Sequence, residues 1–505
     1  MLSRSFAVAS IAAALAALHP VAAAQESTPD TDPTIVTSSG SVSIAGRVVA
    51  YEARTGTLTI NDDDGEPLAH VFHIAYSRTS NAAEDRPITF VFNGGPGSSS
   101  IWLHMGLFGP YRVDYADDFG NPGAPPYDTV PNELSLLDKT DLVFIDPVST
   151  GYSRPVEGVE KSEFHGVEED LDSIAEFIRL YLGEHERWGS PIFLAGESYG
   201  TFRAAGLAAE LWNDHHIATR GVVLVSAVLD MLTIRYLDGH DLPYPLILPT
   251  YVATAHFHDA LPPRNQDRPL RDVLRDAERF ATTDYALALM QGARLSEDQE
   301  ADIARRLGEF TGLDPEFILD SNLRVPLSAF AKELLRERGL TVGRLDSRFT
   351  GQDRDDAGDS YEYDPSYGAI RGVYTAAFNR YVREDLGYKT DADYRVLTGE
   401  VRPWSYGTGS GLGITNLGER LRSAMHQQPY MNVFVASGYY DAATPYFAAD
   451  YTVDHLQLRP ELRDNVRVRY YEAGHMMYVH RPDLEKLRGD LAAFYDETLR
   501  DRRGR

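Results

Sequence analysis

Four short apolar runs mark the first half of the chain and predict buried strands. Residues 166–182 between the second and third runs have helical spacing instead, with Leu171, Ile174, Ile178 and Tyr181 on one stripe. Buried runs that alternate with amphipathic helices are typical of a parallel sheet covered by helices on both faces. The runs are ITFVFN at 88–93, LVFID at 142–146, IFLAG at 192–196 and VVLVSA at 222–227.

The two ends of the chain extend this predicted sheet. Residues 57–76 alternate between apolar and polar positions around an acidic turn at 62–67, which predicts a β-hairpin. Strand-like sequence returns at 431–438 and 466–474, and residues 485–500 have the pattern of a terminal helix. We therefore expect one sheet that draws strands from both ends of the chain.

The segment 241–400 interrupts the strand pattern. It is rich in helix-period sequence, proline and acidic clusters, and it contains no strong strand run. We interpret it as a mainly helical cap inserted between a first core part, 41–240, and a second core part, 401–505. A chain of 505 residues exceeds what one hydrophobic core usually serves, which agrees with a large insertion.

Three motif-like segments are better interpreted as loops than as ligand sites. The acidic segments 62–67 and 353–364 resemble calcium loops, but the first has its glycine out of place and the second has Ala357 at a ligand position. We expect both to be solvated loops. The glycine-rich residues 407–413 lack the spacing and the strand-to-helix context of a dinucleotide-binding turn and predict a flexible turn.

The N-terminus has the pattern of a secretory signal. One arginine precedes an apolar run at 6–18, and small residues up to Ala24 precede Gln25. The run is shorter than the ~20 residues needed to cross a bilayer, so we expect cleavage near Ala24 rather than a membrane anchor. Residues 1–24 are thus predicted to be a signal peptide and 25–40 a flexible leader, and the mature chain to be secreted or periplasmic.

Composition narrows the chemistry further. The sequence has no cysteine, which excludes disulfides, a thiolate nucleophile and a cysteine-ligated metal, and which in an exported protein favours a bacterial periplasm or cell exterior. The net charge of -27 opposes binding to nucleic acids and to anionic membrane surfaces. We expect no metal, no cofactor, no nucleic-acid partner and no membrane partner; the sequence does not indicate the oligomeric state.

A nucleophile motif follows the third apolar run. Gly196-Glu197-Ser198-Tyr199-Gly200 matches Gly-x-Ser-x-Gly between a predicted buried strand and an alanine-rich helix. The turn is so tight that a side chain at either glycine would collide with neighbouring backbone. It raises the serine above the sheet and directs backbone N–H groups toward the position of an oxyanion. Ser198 is therefore the predicted nucleophile.

A serine hydroxyl needs a base, and in an α/β-hydrolase the acid and the histidine follow the serine in that order. Asp441 comes directly after the predicted strand 431–438, and His475 comes after the next one, 466–474. Both positions lie at strand carboxyl ends, where parallel sheets present reactive groups. We predict a catalytic triad of Ser198, Asp441 and His475.

The motifs together resemble those of the serine carboxypeptidase family, peptidase family S10. They occur in the family's order across residues 85–480: FNGGPGSSS at 92–100, GESYG at 196–200, SGYYD at 437–441 and GHM at 474–476. The resemblance implies an α/β-hydrolase fold with a helical cap and release of C-terminal residues from peptides. The Asn-Gly-Gly-Pro-Gly segment is the most discriminating, since general esterases carry a different oxyanion loop.

The same resemblance implies roles for the neighbouring residues. The N–H groups of Gly95 and Tyr199 would form the oxyanion hole, and Asn93, the N–H of Gly94 and Glu197 would hold the free C-terminal carboxylate of a peptide. One carboxyl binds another only if they share a proton, because two charges in a dry cleft repel each other. We therefore expect activity to favour acidic pH.

Several positions depart from the family pattern and leave alternatives open. Val91 replaces a tryptophan, Ser98 a cysteine, Ser149 a glycine, and Leu107 a second glutamate of the carboxylate site. His104 and Trp102 are candidate substitutes for the missing groups. The alternatives are a secreted esterase or acyltransferase that uses the same triad, and a catalytically silent protein that binds peptides in the same cleft.

Overall fold

The computed structural model describes residues 35–62, 64–79, 86–407 and 416–500. The predicted signal peptide, residues 1–24, and nearly all of the glycine-rich turn at 407–413 lie outside the described residues and stay predictions. Among the described helices, none is long and apolar enough to cross a membrane.

One sheet of ten strands forms the centre of the fold, in the order β1-β2-β3-β7-β4-β9-β10-β13-β14, with β8 paired to β3. The strands from β7 to β14 in this order are parallel, and β1, β2 and β3 are antiparallel to one another at one edge. The bounds are β1 Val36–Ile44, β2 Arg47–Asn61, β3 Pro67–Arg78, β4 Ile88–Phe92, β5 Tyr111–Val113, β6 Thr129–Pro131, β7 Asp141–Ile145, β8 Arg154–Pro155, β9 Ile192–Glu197, β10 Thr219–Val225, β11 Thr341–Val342, β12 Thr350–Gly351, β13 Asn432–Gly438 and β14 Val466–Tyr471.

Helices follow most of the parallel strands. The α-helices are α1 Ile101–Leu103, α2 Val167–Glu184, α3 Tyr199–Asn213, α4 Pro243–Phe257, α5 Pro263–Gln266, α6 Leu270–Phe280, α7 Ala286–Gln291, α8 Glu297–Thr311, α9 Pro315–Asp320, α10 Leu327–Glu333, α11 Pro365–Glu384, α12 Gly418–Gln427, α13 Tyr446–Asp454, α14 Pro460–Arg463 and α15 Arg481–Arg500. Short 3-10 turns span Lys161–Phe164, Met231–Thr233, Gly292–Arg294, Arg336–Arg338 and Met477–Val479, and π-turns span His104–Phe108 and Ala281–Tyr285.

Both faces of the inner parallel strands β4, β7, β9, β10 and β13 are buried, which explains their continuous apolar sequence. In β9, Phe193 and Ala195 pack into one cluster with side chains of α11 and α15, while Ile192 and Leu194 pack into a second cluster with α2 and α3. Adjacent residues of a strand point to opposite faces, so one apolar run supplies two cores. The prediction of an α/β-hydrolase fold with a mostly parallel sheet and helices on both faces is confirmed.

The segment between β10 and β13 is mainly helical, as predicted. Helices α4 and α6 to α10 bury their apolar sides in a third cluster, which also takes in Tyr440 and Tyr446 from the second half of the chain. Helix α11, also in the predicted cap, packs into the first cluster of the sheet through Val373, Phe378 and Tyr381. The domain boundaries at 240 and 400 stay predictions.

Two expectations from the sequence are wrong in detail. Residues 36–40, expected within a flexible leader, form the first half of β1 and pair with β2. Residues 36–40 alternate between small and polar types, which gives little strand signal in the sequence. Hydrogen bonding to β2 stabilises the strand instead. Asp353, expected in a solvated loop, is buried and bonds Lys332 Nζ through Oδ2 at 2.6 Å.

Candidate active site

The strand order places the site where β4 and β9 are neighbours. In the strand order, β7 lies on one side of β4, and β9 and β10 lie on the other side. The chain passes from β4 to β7 and then back across to β9, so β4 and β9 leave a crevice at their carboxyl ends. Residues 93–100 follow β4, Ser198 follows β9, Asp441 follows β13 and His475 follows β14. The sequence motifs therefore gather at one edge of the sheet.

Ser198 sits on a strained turn between β9 and α3. Its backbone has φ 59 and ψ -129, a conformation that non-glycine residues rarely adopt. Its carbonyl oxygen accepts hydrogen bonds from the Thr201 N–H at 2.9 Å and hydroxyl at 2.7 Å, which hold the turn. A Cβ on Gly196 would lie 2.0 Å from the Gly200 carbonyl oxygen, so the turn requires glycine there.

The base and the acid form a buried pair. His475 Nδ1 lies 2.8 Å from Asp441 Oδ2, and the two side chains are 6% and 0% exposed. Oδ1 of Asp441 accepts the N–H groups of Ala443 and Thr444, both at 2.9 Å, and Oδ2 accepts the Thr444 hydroxyl at 2.7 Å. This set of donors fixes the carboxylate, which in turn fixes the imidazole and leaves Nε2 for a second partner.

Opposing effects act on His475. Burial favours the neutral ring, but the charge and hydrogen bond of Asp441, followed by the charge of Glu197, outweigh burial and raise the pKa of His475 above its usual value. Ser198 and His475 line the same cleft, which has a volume of about 700 Å³. The Ser198 hydroxyl makes no hydrogen bond to any described residue, His475 included, so it is free on the cleft side.

The oxyanion loop after β4 packs directly on the nucleophile turn. A Cβ on Gly94 would lie 2.4 Å from the Tyr199 nitrogen, so the two backbones touch. Gly95 and Gly97 have φ of 102 and 101, which side chains disfavour. The loop bonds back to itself from the Ser98 N–H to the Gly94 carbonyl at 3.1 Å. The backbones of Gly95 and Tyr199 therefore stand on the two contacting segments.

Asn93 and Glu197 form one buried unit. Asn93 Nδ2 donates to Glu197 Oε1 at 2.9 Å, and Asn93 Oδ1 accepts the Leu103 N–H at 3.1 Å. Burial raises the pKa of Glu197 to about 7, against the lowering effects of His475, Tyr478 and Asn93. Glu197 Oε2 and the Tyr478 hydroxyl are both buried without a hydrogen bond of ordinary geometry. The Glu197 carboxyl is therefore mostly protonated below about pH 7.

A buried ion pair supports this arrangement from behind. Arg203 of α3 bonds both carboxylate oxygens of Asp170, at 2.7 and 3.0 Å, and donates from Nη1 to the Asn93 carbonyl oxygen at 2.6 Å. Its guanidinium also lies over the rings of Phe92 and Tyr199. One side chain thus ties α2, α3 and the start of the oxyanion loop together.

Of the two residues proposed to replace the missing family groups, Trp102 lines the cleft and His104 does not. His104 is wrong as a substitute: it is not among the residues that line the cleft, its Nε2 lies 2.8 Å from the Tyr76 hydroxyl, and burial lowers its pKa to about 3. Trp102 lines the cleft, with Nε1 donating to Ser98 Oγ at 2.9 Å. Leu107 is fully buried in the apolar core.

Sequence reasoning missed several residues around the site. Thr444, which clamps Asp441, follows it closely enough that an Asp-turn pattern could have indicated it. Tyr478, Arg203 and the cleft residues Arg344 and Arg402 gave no local signal, because only tertiary packing brings them to the site. Among the described residues, no cluster of three or more histidines or carboxylates could hold a metal ion.

Comparison with known proteins bears on the nucleophile half of this site. The sequence profile of serine carboxypeptidases matches residues 45–233, a segment that holds the oxyanion loop and the Ser198 turn. This segment is therefore similar to serine carboxypeptidases. The chain is 33% identical to the pheromone-processing carboxypeptidase KEX1 of Saccharomyces cerevisiae over 30% of this chain and 23% of the yeast protein.

A plant relative shows the same partial overlap in sequence. The serine carboxypeptidase-like protein 51 of Arabidopsis thaliana is 31% identical over 28% of this chain and 31% of the plant protein. The chain thus matches about a quarter to a third of the length of these two relatives. In structure the overlap is nearly complete: the crystal structure of the yeast KEX1 prohormone-processing carboxypeptidase aligns with a TM-score of 0.55 and 17% identity, over 88% of this chain and 92% of that one. That similarity shows a common fold.

Proposed function

We propose that this protein is a serine carboxypeptidase that removes C-terminal residues from peptides through an acyl-enzyme on Ser198. One observation carries the proposal: a single cleft holds a free serine hydroxyl, an imidazole paired with a buried aspartate, and a carboxyl with a pKa of about 7. The first two groups provide acyl-transfer chemistry, and the third provides a site for a carboxylate.

Acylation begins when the Ser198 hydroxyl loses its proton to His475 Nε2 and attacks the scissile carbonyl. Asp441 holds the ring in the tautomer that leaves Nε2 unprotonated, and it stabilises the imidazolium that forms. The backbone N–H groups of Gly95 and Tyr199 would receive the oxyanion. The imidazolium then protonates the leaving amine, and water hydrolyses the ester by the same steps in reverse order.

The carboxylate site selects for the end of a peptide. A protonated Glu197 donates its hydrogen to the C-terminal carboxylate, while Asn93 Nδ2, which already donates one hydrogen to Glu197, has a second to offer. The Gly94 N–H would complete the set. A C-terminal amide lacks the charge that this arrangement stabilises, so peptides with blocked ends should be poor substrates.

The experiment compares two N-terminally blocked peptides that differ only in a free acid or an amide at the C-terminus. We expect kcat/KM for the free acid to be higher by at least tenfold, and Ser198→Ala to lower turnover of it by about a million-fold, as the loss of a serine nucleophile does elsewhere. A fluorophosphonate probe should label Ser198 in the parent. Near-full activity of Ser198→Ala would overturn the mechanism.

The comparison also separates the alternatives. Equal rates on the acid and the amide would contradict the exopeptidase assignment while leaving the triad in place. Fast hydrolysis of an activated ester with no cleavage of either peptide would indicate an esterase or acyltransferase. A chain that neither turns over peptides nor reacts with the probe would be a binding protein.

A further inference from the structure

Two arginines line the cleft of the proposed reaction centre. Arg344 lies just after β11, on a segment that contacts the catalytic loops: its carbonyl oxygen accepts the Ala442 N–H at 3.2 Å, and the next residue, Leu345, accepts the His475 N–H at 2.6 Å. Its positive charge is one of the influences that lower the pKa of His475. Arg344 therefore stands beside the base.

Arg402 belongs to the segment 396–402, which lies across the oxyanion loop. The Ser99 N–H donates to the Val396 carbonyl at 3.0 Å, and the Thr398 N–H donates to the Gly97 carbonyl at 2.9 Å. Both arginines line the cleft that holds Ser198 and His475. One arginine thus stands beside the loops of Asp441 and His475, and the other stands on the segment that bonds to the oxyanion loop.

Neither guanidinium has a hydrogen-bond or ion-pair partner among the residues that the structure describes. Arginines nearby in the sequence do form ion pairs: Arg348 pairs with Asp346 at 2.7 Å, and Arg395 pairs with Glu400 at 3.0 Å. Arg344 and Arg402 are both exposed, so their charges are available to a molecule in the cleft.

The carboxyls that line the cleft do not neutralise the pair. Glu197 has a pKa of about 7 and is uncharged below it, and its Oε1 accepts from Asn93. Asp364 is engaged by backbone: its Oδ1 accepts the N–H groups of Arg344 and Ser366, both at 3.0 Å, at the start of α11. Two cations therefore face one anion, in a protein whose net charge is -27.

We propose that this cleft prefers peptides with an acidic side chain at one of the two residues that flank the scissile bond, and that Arg344 and Arg402 determine this preference. The inference rests on the proposed carboxypeptidase function and names its substrate class. A guanidinium binds a carboxylate by two parallel hydrogen bonds, and it does so most strongly where water is partly excluded. A lysine side chain in either position would be repelled.

The test uses the full chain and a series of N-blocked peptides with a free C-terminus, which carry Glu, Gln or Lys at the last or the penultimate residue. We expect kcat/KM for at least one Glu peptide to exceed that of its Gln counterpart by tenfold or more, and that of its Lys counterpart by more than that. The preference should shrink as ionic strength rises, because salt screens exposed charges.

Variants assign the preference to residues. Arg344→Gln and Arg402→Gln should each reduce the Glu-to-Gln ratio, and Arg402→Glu should shift the ratio toward Lys. Arg354→Gln is the matched control, since Arg354 is highly exposed in the acidic loop and does not line the cleft. The ratio of two substrates does not depend on the fraction of enzyme that is folded, so a poorly folding variant still gives an answer.

Failure of this inference and failure of the proposed function have different signatures. If the parent hydrolyses free-acid peptides in preference to amides but treats Glu and Gln alike, the substrate class is wrong and the carboxypeptidase function stands. An unchanged ratio in both Gln variants would overturn the role of the arginines. If the parent cleaves no free-acid peptide, both proposals are overturned together.

Discussion

At the scale of single residues, Glu197 has an unusual environment for a carboxyl. It is buried, it bonds Asn93, and its pKa lies near 7 rather than at its ordinary value of 4.5. Its charge also helps to raise the pKa of His475. The active form under the proposed mechanism has a proton on Glu197 and none on His475, so the two groups set opposite limbs of one pH profile.

The variant Glu197→Gln should therefore change the shape of that profile. In the parent, kcat/KM on a free-acid peptide should fall above about pH 7, where Glu197 ionises and repels the substrate carboxylate. Glutamine stays neutral, so the falling limb should disappear, and the rising limb should move to lower pH because one charge that raises the pKa of His475 is gone. The measurement is kcat/KM from pH 4 to about pH 9. A falling limb that persists unchanged in the variant would count against this role.

Removal of the Tyr478 hydroxyl should change the pKa of Glu197 without replacing the carboxyl. Its hydroxyl is one of the influences that lower the pKa of Glu197. Tyr478→Phe should accordingly raise the pKa of Glu197 further and move the falling limb to higher pH. The same pH profile measures it, with Tyr115→Phe as the control, because Tyr115 is buried nearby but is not among the influences on Glu197. A shift toward lower pH would refute the prediction.

At the scale of elements, the proposed mechanism requires contact between the loop after β4 and the Ser198 turn. Gly94 has no room for a side chain, because a Cβ there would lie 2.4 Å from the Tyr199 nitrogen and 2.8 Å from the Glu197 carbonyl oxygen. Both neighbours are backbone, which cannot rotate away as a side chain can. A substitution must therefore separate the two elements.

Gly94→Ala should lower kcat by about a hundredfold or more, the range seen when one oxyanion donor is lost. The physical reason is displacement of the Gly95 and Tyr199 N–H groups from each other. Gly489→Ala in α15 is the control: a Cβ there has open space, and alanine should stabilise the helix by up to about 1 kcal/mol. Steady-state kinetics and thermal unfolding of both variants test this prediction. A wild-type kcat in Gly94→Ala would show that close contact between the two segments is not required.

The elements themselves were largely predictable from sequence. Continuous apolar runs identify the buried strands, and alternating residues identify the half-buried β14. Ser198, Asp441 and His475 follow β9, β13 and β14. Local sequence could not reveal Arg344, Arg402 or Tyr478, whose place depends on how distant segments pack. The same limit explains the errors at His104, which bonds Tyr76 in the core, and at residues 36–40, whose strand is defined by its partner β2.

At the scale of the whole molecule, buried titratable groups set how stability varies with pH. Burial raises the pKa of Asp146 to about 6 and of Glu210 and Asp450 to about 7, as it does for Glu197. The folded protein holds these protons more tightly than the unfolded chain, so stability is lost as pH rises toward 7. Reduced self-repulsion at lower net negative charge acts in the same direction.

Two buried histidines act in the opposite direction. Burial lowers the pKa of His73 and of His104 to about 3, so the folded protein cannot take up the protons that the unfolded chain binds below pH 6.5. The stability that these two neutral rings contribute is lost as pH falls below 6.5. The four carboxyls outweigh the two histidines, so we expect the free energy of unfolding to fall as pH rises from about 5 to 7. Urea unfolding across pH measures it, and a free energy that rises over this range would contradict it.

His73→Phe tests one part of this balance. Both ring nitrogens of His73 lack hydrogen-bond partners, and the ring packs against Phe177 and Tyr181, so phenylalanine suits the site. Relative to the parent, the variant should gain about 2 kcal/mol between pH 8 and pH 5, because the unfolded chain then binds one proton fewer. Exposed His455, replaced by Gln, is the control. A pH-independent difference would show that His73 is not the group responsible.

The proposed catalytic groups follow strands that lie far apart along the chain, so they are synthesised at different times. Ser198 emerges from the ribosome long before His475, and β13 and β14 must add to the sheet edge beyond β10 before any base reaches it. A nascent or truncated polypeptide therefore carries a nucleophile without its activator. Under the proposed function, hydrolytic activity therefore requires that the chain be synthesised and folded through β14 and the His475 that follows it.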